Sequence, residues 1–407
     1  MKVPEKALRT ADCPTILFGA FDRHNLGDLL LPHVIKRLIA PASLRYGGLR
    51  ARNLTTLGGF RVHALTRLAA SLGDTPVEIV HTGGEILTCN AWEAAVMLLP
   101  TARARAVVAQ LDSRPAERVA WARELLGLQD CAPYLLAAGL FGNVRRVIYH
   151  AAGGIGLEQV EPAMRAEVVA KLGAATYVGV RDQQTRAALA ASGIDARLEP
   201  DPAVMVAALF GDGIRRRSRH GEVAGLMSGF PHGYLAMQFS ADFGDDETLA
   251  QLGAQLRRVA RASKLGVVLF RAGAAPWHDD LDSYRRLAAK LSGTPVALFR
   301  SLNLWDICAL IACSRGFAGS SLHGGIVAGA FAMPWVGLLR PGQAPAASKQ
   351  AAFGMTWGTA GAPAAVAVQE LAAGIEEAMA TGPVRREALA RELAEACRAS
   401  FRAVHGG

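Results

Sequence analysis

The chain has 407 residues, 51% of them hydrophobic and 19% charged, with Lys and Arg exceeding Asp and Glu to give a formal net charge of +9. That length suits two ordinary domains with a large core, and the basic balance favours acidic ligands, an anionic lipid surface or nucleic acid. The one dense basic run, from Arg215 to His220, has no interleaved aromatics and no nucleic-acid motif; it reads as an exposed linker and argues against a nucleic-acid partner.

The first half reads as strands at 15–21, 77–84, 145–154 and 175–182, with helices at 29–39, 162–172 and 183–192. Asp28 is the expected N-cap of the first helix, which places Pro32 at the fourth helical position, where a missing N–H costs little. Gly and charge cluster near 207–230 and mark a boundary. The second half keeps a regular rhythm of strands at 234–240, 267–271, 295–300, 316–320 and 334–340, separated by helices. Among those helices, one is opened by Asp245 and one spans 322–333. Strands alternating with helices of this length form parallel βαβ units. The stretch from Gly319 to Leu339 carries no formal charge and is long enough to span a membrane. Pro334 interrupts it, so it reads as strand, helix and buried strand. A final amphipathic helix at 384–404 follows a Pro- and Ala-rich stretch. The expected organisation is α/β: a Rossmann-like domain over 1–210, a second over 225–345, both doubly wound on parallel sheets and facing a cleft, and a helical segment over 346–407 packing back across the molecule.

Six cysteines (13, 89, 131, 308, 313 and 397) include no CxxC, and Cys308 and Cys313 share one apolar stretch; they read as reduced thiols, with neither a disulfide frame nor a zinc site. There is no HExxH, EF-hand loop, GxGxxG or P-loop, so neither a metal nor a nucleotide cofactor is expected. The first 21 residues lack a signal peptide's apolar stretch, which makes the cytoplasm the expected compartment.

Ligands of such sheets bind beyond the carboxyl ends of the strands. Arg181, Arg271, Arg300 and Arg340 each follow an apolar strand run, and His81 and His150 end two more. Gly83, Gly84, Gly153 and Gly154 lie just beyond those histidines, where bare backbone N–H groups can approach an anion. Arginine's planar fork suits carboxylate and phosphate. An anion-binding cleft follows, with Arg181 on one domain and Arg271, Arg300, Arg340 and His323 on the other.

Five blocks, "ILFGAFDRHNLGDLLLPHVIKRL", "HTGGE", "YVGVRDQQTRAALAASGI", "PDPAV" and "SSLHGGIVAGAFAMP", resemble in order and spacing the polysaccharide pyruvyl transferase family. The resemblance implies a GT-B-like fold. It also implies transfer of a pyruvyl group from phosphoenolpyruvate, the donor substrate, to a sugar as a cyclic ketal, with no further cofactor. Taken with the strand-end reading, it makes Arg181, Arg271, Arg300, Arg340, Ser321, Gly83 and Gly84 candidates for the donor, and Asn25, Gly27 and Glu85 candidates for the acceptor. His323 is the leading proton-transfer group, since imidazole serves near neutral pH. His150 is a second acid/base candidate, and Asp28 has either a direct or a capping role. Arg181 has a competing reading as an ion pair with Asp182 or the following helix, and Asp201 as a turn residue. Where the family usually reads Arg-Leu-His, this chain has Ser321-Leu322-His323, which leaves the donor open. The alternatives are a GT-B glycosyltransferase with a nucleotide-sugar donor and a non-catalytic glycan-binding relative. The expected partners are a small anionic donor and a sugar, lipid-linked glycan or polysaccharide acceptor. The basic charge also suits peripheral contact with the inner membrane face.

Overall fold

Short apolar runs become buried parallel strands, as expected where helices cover both faces of a sheet. The computed structural model describes residues 13–358 and 365–406, so the first 12 of the 21 residues read as lacking a signal peptide's apolar stretch, and parts of the C-terminal segment, lie outside it. The chain divides into two units, the first taking residues up to Arg23, Leu31–Pro202 and the end from Ser400, the second His24–Leu30 and Ala203–Ala399.

The first unit's sheet contains β1 (Thr15–Phe18), β2 (Leu44–Gly48), β3 (Arg52–Asn53), β4 (Arg61–Ala64), β5 (Val77–His81), β6 (Val144–Ala152), β7 (Tyr177–Val180) and β8 (Arg197–Leu198). Their order is β3-β4-β2-β1-β5-β6-β7-β8. All neighbours are parallel except the edge pair β3–β4. The strand order reverses between β1 and β5. Ile16, Phe18, Ile79 and Tyr149 have no exposed surface and anchor the core; burying a large apolar side chain of this kind stabilises by roughly 1.5–3 kcal/mol.

The second unit's sheet contains β9 (Tyr234–Gln238), β10 (Gly266–Leu269), β11 (Val296–Leu298), β12 (Gly316–Gly319), β13 (Trp335–Leu338) and β14 (Ala365–Val366), ordered β11-β10-β9-β12-β13-β14. Every pair is parallel, and the order reverses between β9 and β12. The charge-free stretch is β12, the helix Leu322–Ala330 and β13, with Val336 and Leu338 buried beside β12 and β14. Among the described residues no helix is long and apolar enough to cross a membrane.

Three expectations need correction. The first helix runs Leu26–Ile39, and Asn25 rather than Asp28 caps it, its Oδ1 accepting the N–H groups of Gly27 (3.1 Å) and Asp28 (3.4 Å). Pro32 is therefore the seventh helical residue, past the first turn, where proline removes a ladder hydrogen bond. Arg215–Arg217 form no linker but end the helix Val206–Arg217, where cations complement the partial negative charge of the helix C-terminus. Residues expected to form a purely helical tail also add β14 to the second sheet, between the helices Lys349–Trp357 and Leu371–Ala380.

Candidate functional site

In the second unit the chain leaves β12, turns at Ser320 and Ser321 and enters the Leu322–Ala330 helix. Ser321 is its N-cap, with Oγ accepting the Gly324 N–H at 3.1 Å. The Ser321 N–H donates to Gln238 Oε1 at 2.8 Å. Gln238 ends β9, so this bond sits where the strand order reverses, the place at which ligands bind such sheets. Gln238 Nε2 donates to Asp279 Oδ1 at 2.8 Å, while Asp279 Oδ2 accepts the N–H groups of Ala272 (2.6 Å) and Gly273 (3.2 Å). The loop after β10 is thus tied to the start of the His323 helix.

Burial pushes the Asp279 carboxyl up from its ordinary 3.8 to about 7, against the opposing pull of its three hydrogen-bond donors and Arg271. A folded pKa above the unfolded one means that the folded protein holds this proton more tightly. Stability from this group is therefore fully present below about pH 4 and is lost as pH rises through 7. At pH 8 Asp279→Asn should recover part of a cost of up to about 4 kcal/mol, while at pH 4 the two proteins should unfold alike. Urea unfolding at both pH values measures this, and a pH-independent difference would count against it.

His323 is the helix's second residue and is 9% exposed. Its ring lies against the backbone of Gly27: a Cβ there would stand 2.0 Å from Nδ1 and 2.2 Å from Cε1. Only glycine permits that approach. The segment carrying Gly27 is fixed to the same loop. Asn25 bridges Gly273, and the Leu26 N–H donates to the Ala272 carbonyl at 2.8 Å. The Ala274 N–H donates to His24 Nδ1 at 3.1 Å, leaving Nε2 to donate to the Leu302 carbonyl at 2.7 Å. Burial lowers the His24 pKa, in keeping with that neutral ring. Gly27, Asn25, the Gly273 loop, Asp279, Gln238, Ser321 and His323 form one closed ring of contacts.

The three arginines of this unit stand beyond the carboxyl ends of β10, β11 and β13, as expected. Arg271 is half-buried. Arg300 is exposed, and its backbone N–H donates to Glu222 Oε1 at 2.8 Å. Arg340 is exposed, with Nη1 3.9 Å from Asp242 Oδ2. Reading the strand ends for arginine and histidine passed over Gln238, which also ends a strand; Asp279 and His24 carry no such signal.

The first unit treats its candidates differently. Arg181 follows β7 at 2% exposure, with Nη2 against Glu85 and Nη1 3.4 Å from Asp201 Oδ2. Burial disfavours its charge, but the carboxylates of Glu85, Asp201 and Asp182 more than offset that and raise its pKa. It stands in an enclosed ion cluster. Asp182, the partner of the competing reading, adds to the field around Arg181 while its side chain caps the Gln183–Ala191 helix through the Thr185 N–H. Glu85 accepts the Ile155 N–H at 2.9 Å as well, and a Cβ on Gly153 would stand 2.5 Å from Arg181 Nη2. Gly83 and Gly84 adopt φ of +88° and +87°, and Gly84 pairs with Ala152. In that pairing the Gly84 carbonyl accepts the Gly153 N–H at 2.8 Å.

His150 is not at a strand end but within β6, with no exposed surface. Its Nδ1 faces Glu199 Oε1 at 3.1 Å, its Nε2 faces His405 Nε2 at 2.9 Å, and its ring stacks on Phe401 at 4.0 Å. It docks the last turn of the chain. His81 is equally enclosed, stacked on Tyr149 at 3.9 Å, and burial lowers its pKa to about 3. Among the described residues no group of three or more His, Cys, Asp or Glu could hold a metal ion.

The sequence model of the polysaccharide pyruvyl transferase family matches residues 125–340, just over half of the chain. No curated protein sequence matches it. Among solved structures, UDP-GlcNAc 2-epimerase from Neisseria meningitidis, bound to UDP-GlcNAc, aligns over 96% of this chain and 98% of that one, at 11% identity and a TM-score of 0.51. The UDP-GlcNAc 2-epimerase of Methanocaldococcus jannaschii aligns over 94% and 99%, at 10% identity and a TM-score of 0.50. At such identities the likeness is one of fold: GT-B-like, built from two Rossmann-like parallel-sheet units.

Proposed function

The chain belongs to the polysaccharide pyruvyl transferase family, and from that premise we propose that it moves the pyruvyl group of phosphoenolpyruvate onto two hydroxyls of a sugar as a cyclic ketal. The observation that carries this reading is the seating of His323 on Gly27. It joins the "NLGD" block, which lies outside the matched residues, to the "SLHGG" block inside them. In this reading His323 gives a proton to the methylene carbon of the donor. A sugar hydroxyl then attacks the electrophilic C2, and its proton returns to the imidazole. A second hydroxyl displaces phosphate, which leaves with that hydroxyl's proton. Arg271, Arg300 and Arg340 hold the donor's carboxylate and phosphate. The donor is already an activated enol ester, so the reaction needs no cofactor. The acceptor is a lipid-linked glycan or growing polysaccharide at the inner membrane face, which the +9 charge helps the protein to approach.

The test is donor binding by thermal shift. A ligand held only by the folded form stabilises by about 2.7 kcal/mol at 100 times its dissociation constant. Phosphoenolpyruvate should raise the melting temperature and release phosphate when sugar is added. A shift with UDP-GlcNAc and none with phosphoenolpyruvate would replace this reading by a nucleotide-sugar transferase. Ser321→Arg gives a sharper check. Restoring the family's guanidinium should tighten phosphoenolpyruvate binding roughly tenfold or more, the worth of a charge-assisted hydrogen bond. Losing the Ser321 cap should cost about 1 kcal/mol of stability. Calorimetry and urea unfolding read the two effects separately, and weaker donor binding would mark the serine as fitted to another donor.

A further inference from the structure

The loop from Arg271 to Asp280 carries Trp277 at φ +65°. A bulky side chain occupies that left-handed region only where its surroundings hold it, and such residues gather at functional sites. The holding bonds are evident. Asp279 gathers the N–H groups of Ala272 and Gly273, and its own N–H donates to the Gly273 carbonyl at 3.2 Å. The His278 N–H donates to the Ala275 carbonyl at 3.1 Å, and the His278 carbonyl accepts the Ala241 N–H at 2.7 Å. Glycine would fit position 277 without strain, yet a tryptophan stands there with 44% of its surface exposed. The same loop is joined to Asn25 through Gly273, and through Asp279 and Gln238 to the helix that carries His323. The indole therefore stands on a rigid support belonging to the ring of contacts that holds the candidate proton-transfer group.

We propose that Trp277 is the stacking platform for the pyranose ring of the acceptor. A pyranose has one face of mostly C–H bonds and a rim of hydroxyls. An exposed indole offers a large, rigid apolar surface to that face and costs little side-chain entropy to order. A loop pinned at both ends sets the height of the ring, as a binding site requires. This inference rests on the pyruvyl-transfer reading for the identity of the ligand as acceptor, but the binding itself does not depend on the donor.

The experiment uses the full chain and saturation-transfer NMR with the methyl β-pyranosides of galactose, glucose, mannose and N-acetylglucosamine, with and without phosphoenolpyruvate. At least one pyranoside should bind the wild-type protein, with saturation strongest on the C–H protons of one face. Trp277→Ala should weaken it at least tenfold, while Trp277→Phe stays within about threefold, a flat ring being what the site needs. Phosphoenolpyruvate affinity should be unchanged in both variants. Sugar binding by Trp277→Ala equal to wild type overturns the proposal, and so does a wild-type protein that binds none of the panel. Loss of UDP binding in Trp277→Ala with sugar binding kept also overturns it, by assigning the indole to a nucleobase. If phosphoenolpyruvate fails to bind but the sugar binds in a Trp277-dependent way, the platform stands and the donor assignment falls.

Discussion

His323→Ala should lower turnover by a factor of about 10²–10⁴, the usual contribution of a positioned proton-transfer group and roughly 3–5 kcal/mol of barrier. Donor affinity should barely change, because the proposed reading gives the donor's acidic groups to the arginines at the strand ends and not to the imidazole. The helix itself should survive, since Ser321 and not His323 supplies its cap. Gly27→Ala tests the same idea from the other side. It keeps the imidazole but puts a methyl group 2.0 Å from Nδ1, so the ring must move or the helix start must shift. Turnover should fall comparably in both variants, and a displacement of about 1 Å is enough to cost 10²-fold. The double variant should be no slower than His323→Ala alone, because residues acting as one unit are not additive. Single-turnover phosphate release at saturating donor reads all three. Full turnover by His323→Ala would make the histidine a packing residue.

The architecture was legible because parallel sheets covered by helices leave a strong pattern. Every strand of the regular second half except the two-residue β14 could be read as an apolar run bounded by glycine, proline or a charge. What escaped had the wrong local chemistry. β2 ends in two glycines and offers no apolar run, and the Thr101–Leu111 helix is dominated by alanine and interrupted by Arg103 and Arg105, which leaves little amphipathic signal. The cap was misplaced because Asn25 and Asp28 are both good caps, and only the hydrogen bonds of Asn25 decide between them. At the site, the strand-end rule found the arginines and His323 but not what they do. The closeness of Gly27 to His323, or of Gln238 to Asp279, joins residues far apart in the chain and has no local signature. His150 and Arg181 show the converse. A polar residue at the end of an apolar run looks the same in sequence whether it opens toward a ligand or closes on a buried partner.

Arg181→Ala should destabilise the first unit by about 3–5 kcal/mol, the cost of leaving a buried charge without its partner. The guanidinium is 2% exposed, and Asp201, with no exposed surface, loses the ion pair it makes at 3.4 Å. Glu85 keeps 27% side-chain exposure and the Ile155 N–H, so it can rehydrate, and Asp201 bears most of the penalty. Two further variants separate this account from simple loss of packing. Arg181→Met restores much of the volume without the charge and should be nearly as unstable as the alanine variant. Adding Asp201→Asn to Arg181→Met should recover stability, because a neutral pair of similar volume no longer buries an unpaired charge. Urea unfolding followed by a probe within the first unit measures each variant, a precaution needed because two units can unfold separately. If Arg181→Ala instead unfolds like the wild type and loses phosphoenolpyruvate binding, the guanidinium belongs to the donor, as the family resemblance implied, and the ion cluster is only its resting arrangement.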